Sequence, residues 1–120
     1  MVGTTTVTLA NIGDKMYMRA TSDGNTGMGI SDWDYNQFVM TGKISASGNV
    51  DTLLDQNGNA TITDYCYCGL FKECTSLTSA PELPATTLAY GCYREMFSGC
   101  TSLTTAPSIL PSITLADCCY

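Results

Sequence analysis

The sequence predicts an α+β fold, in which an antiparallel β cap precedes a short repeat solenoid with one helix and one short strand per repeat. Three observations support this prediction. The second half of the chain repeats itself with a period of about 26 or about 27 residues, within the range of solenoid repeats. Each copy carries apolar residues at helical spacing and then a short β-compatible run that ends at a proline. The first part of the chain instead shows short alternating apolar runs between turn residues.

The repeat is visible when residues 67–81 are aligned with residues 93–107. The pairs that share this offset are Phe71 and Phe97, Cys74 and Cys100, Leu77 and Leu103, Ala80 and Ala106, and Pro81 and Pro107. Because one residue is inserted before Leu110, the later pairs lie one position further apart, as Cys92 and Cys119 do. A single copy is too small to bury its own apolar face, so neighbouring copies must stack.

Each copy reads as a helix followed by a strand. Thr87 is a plausible N-cap, and Gly99 stands where a left-handed residue would end the helix. Between them the apolar residues Ala89, Cys92, Tyr93, Met96 and Phe97 form a stripe. Residues 101–106 are compatible with a strand, and Pro107 stops it by removing a backbone donor.

A compositional boundary near residue 62 divides the chain into a cap, residues 1–61, and the repeats, residues 62–120, which hold two nearly full copies and the start of a third. In the cap, alternating residues around Val7 and Leu9, and again around Met16 and Met18, predict a β-hairpin. A second extended pair is expected from 38–40 and 44–46. We expect this antiparallel unit to cover the first repeat.

The pattern Phe-x-x-Cys-Thr-Ser-Leu-Thr-x-Ala-Pro, followed by Leu-Pro-Ala-Thr-Thr-Leu-Ala-x-x-Cys-Tyr-x-x-Met-Phe, resembles the BspA-type leucine-rich repeat. The resemblance covers residues 62–120, about half of the chain. It implies a leucine-rich-repeat-type solenoid that works outside the cell, on a bacterial surface or in a similar phage-encoded protein. It implies adhesion or host contact, and it does not imply catalysis. The copies differ at Cys68, where the second copy has Arg94.

Charge narrows the range of partners. The net charge is −6, the pI is near 4.1, and the five basic residues are scattered, so a nucleic-acid partner is not expected. No apolar run approaches the ~20 residues that a membrane-spanning helix needs, so membrane insertion is not expected either. The first residues show no signal peptide. An extracellular location, on a cell surface or a virion, is nevertheless predicted from the resemblance.

Catalytic constellations are weak in this sequence. The chain has no histidine, which removes the Ser-His-Asp and Cys-His nucleophile pairs. Four carboxylates could supply an acid–base pair, Asp34, Glu73, Glu82 and Glu95, but nothing places two of them in one cleft. The acidic run at residues 32–36 lacks the glycine and the glutamate of a calcium loop. We therefore expect no enzyme, no cofactor and no metal site.

Seven cysteines lie between Cys66 and Cys119. Five of them are in phase with the repeat, which favours packing of small apolar side chains over disulfides or a cysteine-only zinc site. The expected packing ladder comprises Cys66, Cys92, Cys119, Cys74, Cys100, Phe71, Phe97, Leu77 and Leu103. The two cysteines outside the phase, Cys68 and Cys118, are the best candidates for reactivity.

The residues proposed for ligand contact are aromatic and hydroxyl side chains. Trp33 and Tyr35 lie in a Gly- and Asp-rich segment, and exposed loop aromatics are common binding anchors. The strand positions Thr78, Ser79, Thr104 and Thr105 would line one sheet face. These features favour a recognition module for a protein or glycan on a host surface. The alternatives are a fibre or decoration protein of a phage virion, and a subunit that assembles head to tail through its C-terminal end.

Overall fold

A computed structural model describes residues 6–22, 25 and 27–120, and in them regular secondary structure is sparse. Strand β1 spans Ile44–Ser45 and strand β2 spans Leu77–Ser79. The two strands pair in parallel, with Ile44 opposite Leu77 and Ser45 opposite Ser79. A single 3₁₀ turn covers Val50–Leu53, and the described part of the chain contains no α-helix. The radius of gyration is 13.8 Å, close to the ~14 Å of a compact domain of this length.

The prediction of a solenoid with one helix and one strand per repeat is therefore wrong. Where helices were expected, each copy forms consecutive turns in which alternate amides bond to the carbonyl three residues earlier. Cys68, for example, donates to Tyr65, and Arg94 donates to Gly91. The remaining amides of the first copy donate to the second copy, whereas an α-helix would bond every amide beyond its first turn internally.

Left-handed residues at every fourth position explain why no helix forms. In the first copy these are Tyr65, Gly69 and Glu73, with φ of 56°, 62° and 60°; in the second they are Gly91, Glu95 and Gly99, with φ of 59°, 54° and 76°. A right-handed helix requires negative φ throughout. Gly99, expected to end a helix, is thus one member of a recurring series of turns.

The predicted antiparallel β cap is wrong as well. Val7 and Leu9 are 54% and 40% exposed, and the hairpin expected near them is reduced to a turn at residues 11–14. Residues 38–40 form no strand, and β1 pairs in parallel with the first repeat. The only antiparallel bridge among the described residues joins Gly29 to Tyr35. An isolated hairpin is marginal in water, and these apolar side chains find no core to cover.

The core lies between the 3₁₀ turn and the two repeats. Its largest fully buried side chains are Tyr67, Leu70, Leu77 and Met96. The 3₁₀ turn is held by Asn49, whose side-chain oxygen accepts from the Asp51 amide at 2.8 Å. Such a cap satisfies a backbone donor that the first turn leaves open. Asp51 itself is buried within this core, only 3% exposed.

Candidate functional site

The two copies of the repeat lie side by side and are joined by backbone hydrogen bonds. The amides of Tyr65, Tyr67, Gly69, Phe71 and Glu73 donate to the carbonyls of Tyr90, Cys92, Arg94, Met96 and Ser98, at 2.7 to 2.9 Å. The first copy thus contributes donors at this junction, and the second copy contributes acceptors. Each donor bonds to the residue that precedes its own equivalent in the second copy, and this register places equivalent side chains next to each other.

Aromatic rings pile up across the same junction. Tyr67 stacks on Tyr93 with ring centroids 5.6 Å apart, and Tyr93 stacks on Tyr120 at 5.7 Å. A second pile runs from Phe38 to Phe71 at 5.2 Å and from Phe71 to Phe97 at 5.7 Å. Aromatic pairs at this spacing stabilise by ~0.5 to 1.5 kcal/mol beyond the area they bury.

The second copy has a side that the chain leaves largely uncovered, which we call the outer face. It comprises the parts of residues 95–103 that point away from the first copy, together with the exposed apolar side chains of residues 109–115. Phe71 and Leu77 are 4% and 0% exposed in the first copy, whereas their equivalents Phe97 and Leu103 are only half-buried. The equivalent positions differ because the second copy covers the first, whereas no other described segment covers the second in the same way.

The contrast in burial extends to the later part of the second copy, residues 109–115. Leu83 is 3% exposed, but its equivalent Leu110 is 50% exposed. Nearby Ile109, Ile113 and Leu115 are 66%, 99% and 68% exposed. Four large apolar side chains exposed so close together are unusual for a closed surface, and concentrated apolar exposure commonly marks a contact site.

The outer face also carries a row of free backbone donors. The amides of Glu95, Phe97 and Gly99 are equivalent to those of the first copy that donate across the junction. Within residues 6–22, 25 and 27–120 they meet no backbone carbonyl at hydrogen-bonding distance. The amide of Tyr93, two residues before Glu95, already donates to the Cys119 carbonyl at 2.9 Å. An open row of donors beside apolar side chains is a template for pairing, like the edge of a sheet.

A buried polar pair joins the first repeat to the 3₁₀ turn. The Tyr67 hydroxyl donates to Oδ1 of Asp51 at 2.8 Å. Burial raises the pKa of the Asp51 carboxyl, the hydrogen bond from Tyr67 opposes that rise, and the nearby Asp55 adds to it. Burial also raises the pKa of the Tyr67 hydroxyl, which stays neutral as the donor. This pair anchors the 3₁₀ turn to the repeat.

Two ion pairs bridge sequence-distant segments at the surface. Lys72 pairs with Glu95, which joins the two copies, and Arg94 pairs with Asp32 at 3.0 Å. The hydrogen bond from Lys72 lowers the pKa of the Glu95 carboxyl. Because these groups remain partly exposed to solvent, each pair stabilises the fold only slightly. They make Glu95 a structural partner of Lys72, and Glu82 accepts from the Ser108 hydroxyl at 3.0 Å.

The structure separates the residues that the sequence proposed for ligand contact. Trp33 is 92% exposed, whereas Tyr35 is half-buried beside Gly69. Hydroxyls of the strand region bind backbone carbonyls: Thr78 donates to Ile44 at 3.2 Å, Ser79 to Ala46 at 2.9 Å and Thr104 to Thr78 at 3.2 Å. The exposed Thr105 joins Ser79 in a parallel bridge. Of the proposed residues, Trp33 and Thr105 are therefore open to a ligand, and Thr104 is exposed with its hydroxyl engaged by Thr78.

All seven cysteines carry free thiols. Members of the expected ladder, Cys66, Cys74, Cys92 and Cys119, are buried, and Cys100 is half-buried. Burial raises the pKa of the Cys74 thiol to about 11. Cys68, expected to be reactive, is only 4% exposed, and burial raises the pKa of its thiol too. Cys118 is exposed, so the two cysteines outside the repeat phase lie in opposite environments.

Other kinds of site find little support in the part of the chain that the structure describes. There, no three His, Cys, Asp or Glu side chains come together as ligands for a metal ion. The described residues also contain no helix of the length and hydropathy that crossing a bilayer requires. A shallow depression lined by Gly29, Ile30, Thr63 and Asp64 is open to solvent.

The sequence analysis did not identify the outer face or the buried Asp51–Tyr67 pair. A row of free amides leaves no mark in side-chain identity, so no motif search finds it. For Asp51 a signal existed, since it lies between the apolar residues Val50 and Leu54.

Comparisons with protein-family models, with curated proteins and with solved structures gave no match to this chain. The resemblance to the BspA-type repeat therefore rests on the motif of residues 62–120 alone.

Proposed function

We propose that the chain is a non-enzymatic recognition module that binds a protein or glycan partner through the outer face of its second repeat. The observation that carries the proposal is the unequal burial of equivalent residues. Leu83 is 3% exposed and Leu110 is 50% exposed, although both occupy the same position of the same repeat. A partner that covers the second copy as the second copy covers the first would remove this difference.

The chemistry of the face favours binding over catalysis. Glu95, its one carboxylate, is engaged by Lys72, and the neighbouring exposed side chains are mainly apolar. Binding surfaces gain most of their free energy from a few desolvated apolar or aromatic anchors. Display outside the cell, on a bacterial surface or a virion, follows from the motif resemblance and is part of the proposal.

The test compares two matched aspartate substitutions. Labelled chains carrying Leu110→Asp or Ile12→Asp are applied to immobilised host-surface glycoproteins and to the glycans released from them. Both side chains are exposed, so both variants should fold, which circular dichroism and thermal melting check. Leu110→Asp should weaken binding at least about tenfold, because it places a charge in the contact.

Ile12→Asp lies in the N-terminal segment and should bind like the unsubstituted chain. Equal binding by the Leu110→Asp variant would place the contact elsewhere and contradict the proposal. Absence of binding to every glycoprotein, glycan and polypeptide tested would contradict it as well.

A further inference from the structure

We infer that the partner of the outer face is a polypeptide segment carrying this same repeat, and that it binds by extending the hydrogen-bond row between the copies. This inference rests on the proposed function and gives its partner a chemical identity. The segment that binds to the outer face corresponds to residues 94–107 of the repeat.

The junction between the two copies supplies the template. There, amides of Gly69, Phe71 and Glu73 donate to carbonyls of Arg94, Met96 and Ser98. Their equivalents on the outer face are the free amides of Glu95, Phe97 and Gly99. In an incoming segment with the sequence of residues 94–107, the same three carbonyls would accept from these amides. Residues before Arg94 are not needed, because Cys119 and Tyr120 already cover Tyr93.

The aromatic piles indicate the same register. The tyrosine pile is already extended by Tyr120, which is 45% exposed. The phenylalanine pile stops at Phe97, whose ring has a partner on one side only among the described residues. An incoming phenylalanine at the position of Phe97 would continue that pile at the spacing of ~5.7 Å seen within the chain.

The polarity of the row excludes the simplest alternative, a two-fold dimer. A two-fold axis brings identical surfaces together, so the free amides would face amides. The partner must instead present carbonyls. In the folded chain two of the three equivalent carbonyls of the first copy are occupied, since Leu70 accepts from the Phe38 amide and Lys72 accepts from the Gln37 side-chain amide. Another folded molecule of this protein therefore does not offer the full row of three free carbonyls, whereas an unpaired repeat segment does.

The experiment uses the full chain and a synthetic peptide with the sequence of residues 94–107, acetylated, amidated and labelled with fluorescein. The peptide carries Cys100→Ser, and reductant is present, so that no disulfide forms with the exposed Cys118. Fluorescence anisotropy should show saturable binding. A peptide with the additional change Phe97→Ala should bind at least about tenfold more weakly, and a peptide with the same composition in shuffled order should not bind.

Amide hydrogen exchange followed by NMR locates the contact. The bound peptide should slow exchange at Glu95, Phe97 and Gly99 of the chain, and should leave the exposed turn at Asp14 unchanged. Binding without this protection, equal binding of the shuffled peptide, or no saturable binding would each overturn the inference. So would a dimer of the chain, measured by sedimentation, that the peptide does not dissociate.

Failure of this inference is distinguishable from failure of the proposed function. If the peptide does not bind but a glycoprotein or glycan binds and is lost with Leu110→Asp, the recognition role stands and the identity of the partner is wrong. If neither binds, both are contradicted.

Discussion

Truncation of two equivalent leucines would measure how differently the two copies are covered. Leu77 and Leu103 occupy the same repeat position, and each donates its amide to the cysteine three residues earlier, at 3.0 and 3.1 Å. The hydrogen bonds of their amides are thus matched, although only Leu77 lies in a strand. Leu77 is 0% exposed, whereas Leu103 is half-buried on the outer face. We expect Leu77→Ala to be far more destabilising than Leu103→Ala.

The magnitudes follow from burial and from the cavity left behind. Leucine-to-alanine changes at fully buried sites cost about 3 to 5 kcal/mol, because lost transfer free energy and a cavity add together. At a half-buried site the transfer contribution is about 1 kcal/mol, and solvent fills the space. Leu77→Ala should therefore lower the free energy of unfolding by about 2 kcal/mol more than Leu103→Ala.

Urea unfolding followed by the intrinsic fluorescence of the chain measures this difference. With an m value of about 2 kcal/mol/M, the two midpoints should differ by about 1 M. Val39→Ala, at an exposed position, serves as the control and should stay within about 0.5 kcal/mol of the unsubstituted chain. Equal losses for the two leucine variants would show that the second copy is as well covered as the first, and would refute the outer face.

Three further predictions concern the buried carboxylate, a close backbone approach and the thiols. Because burial raises the pKa of Asp51 above the 3.8 of an unfolded chain, its contribution to stability is fully present below that pH and declines as pH rises through the folded value. Asp51→Asn should remove that decline, which begins above about pH 4, and parallel pH profiles of the urea midpoints would contradict this. Gly69→Ala should lower the free energy of unfolding by at least about 2 kcal/mol, because its Cβ would lie 2.5 Å from the ring of Tyr35. Gly42→Ala, also at positive φ but in open space, should lower it by about 1 kcal/mol. Equal losses would show that the Tyr35 ring moves aside. Alkylation of the native chain should modify Cys118 first, since it is the one exposed thiol among the cysteines, and mass spectrometry showing another cysteine modified faster would refute that order.

The repeat itself could be predicted from the sequence, but its local conformation could not. Apolar positions at 92, 93, 96, 97 and 100 recur at every fourth position. Over so short a window, this period is almost indistinguishable from the period of about 3.6 residues that a helix shows. The glycines at 91 and 99 were the better signal, because both take positive φ and they stand two such periods apart.

The packing role of the repeated side chains was predictable for a different reason. Equivalent residues of neighbouring copies meet whatever the local backbone, so Phe71 lies on Phe97 and Tyr67 on Tyr93. The prediction for the N-terminal segment was wrong. Its alternating apolar residues fit a hairpin, but a hairpin needs a core to bury its face, and the segment around Val7 and Leu9 has none.

By itself, the sequence determined which residues are equivalent, because self-similarity is a property of the letters alone. It also determined that few residues are charged, that the net charge is negative and that the chain contains no histidine. Only the tertiary structure decided that left-handed residues replace helices with turns, that Asp51 is buried against Tyr67, and that the amides of Glu95, Phe97 and Gly99 are left open. These features depend on which backbone groups find partners, and every residue type except proline carries the same backbone donor and acceptor.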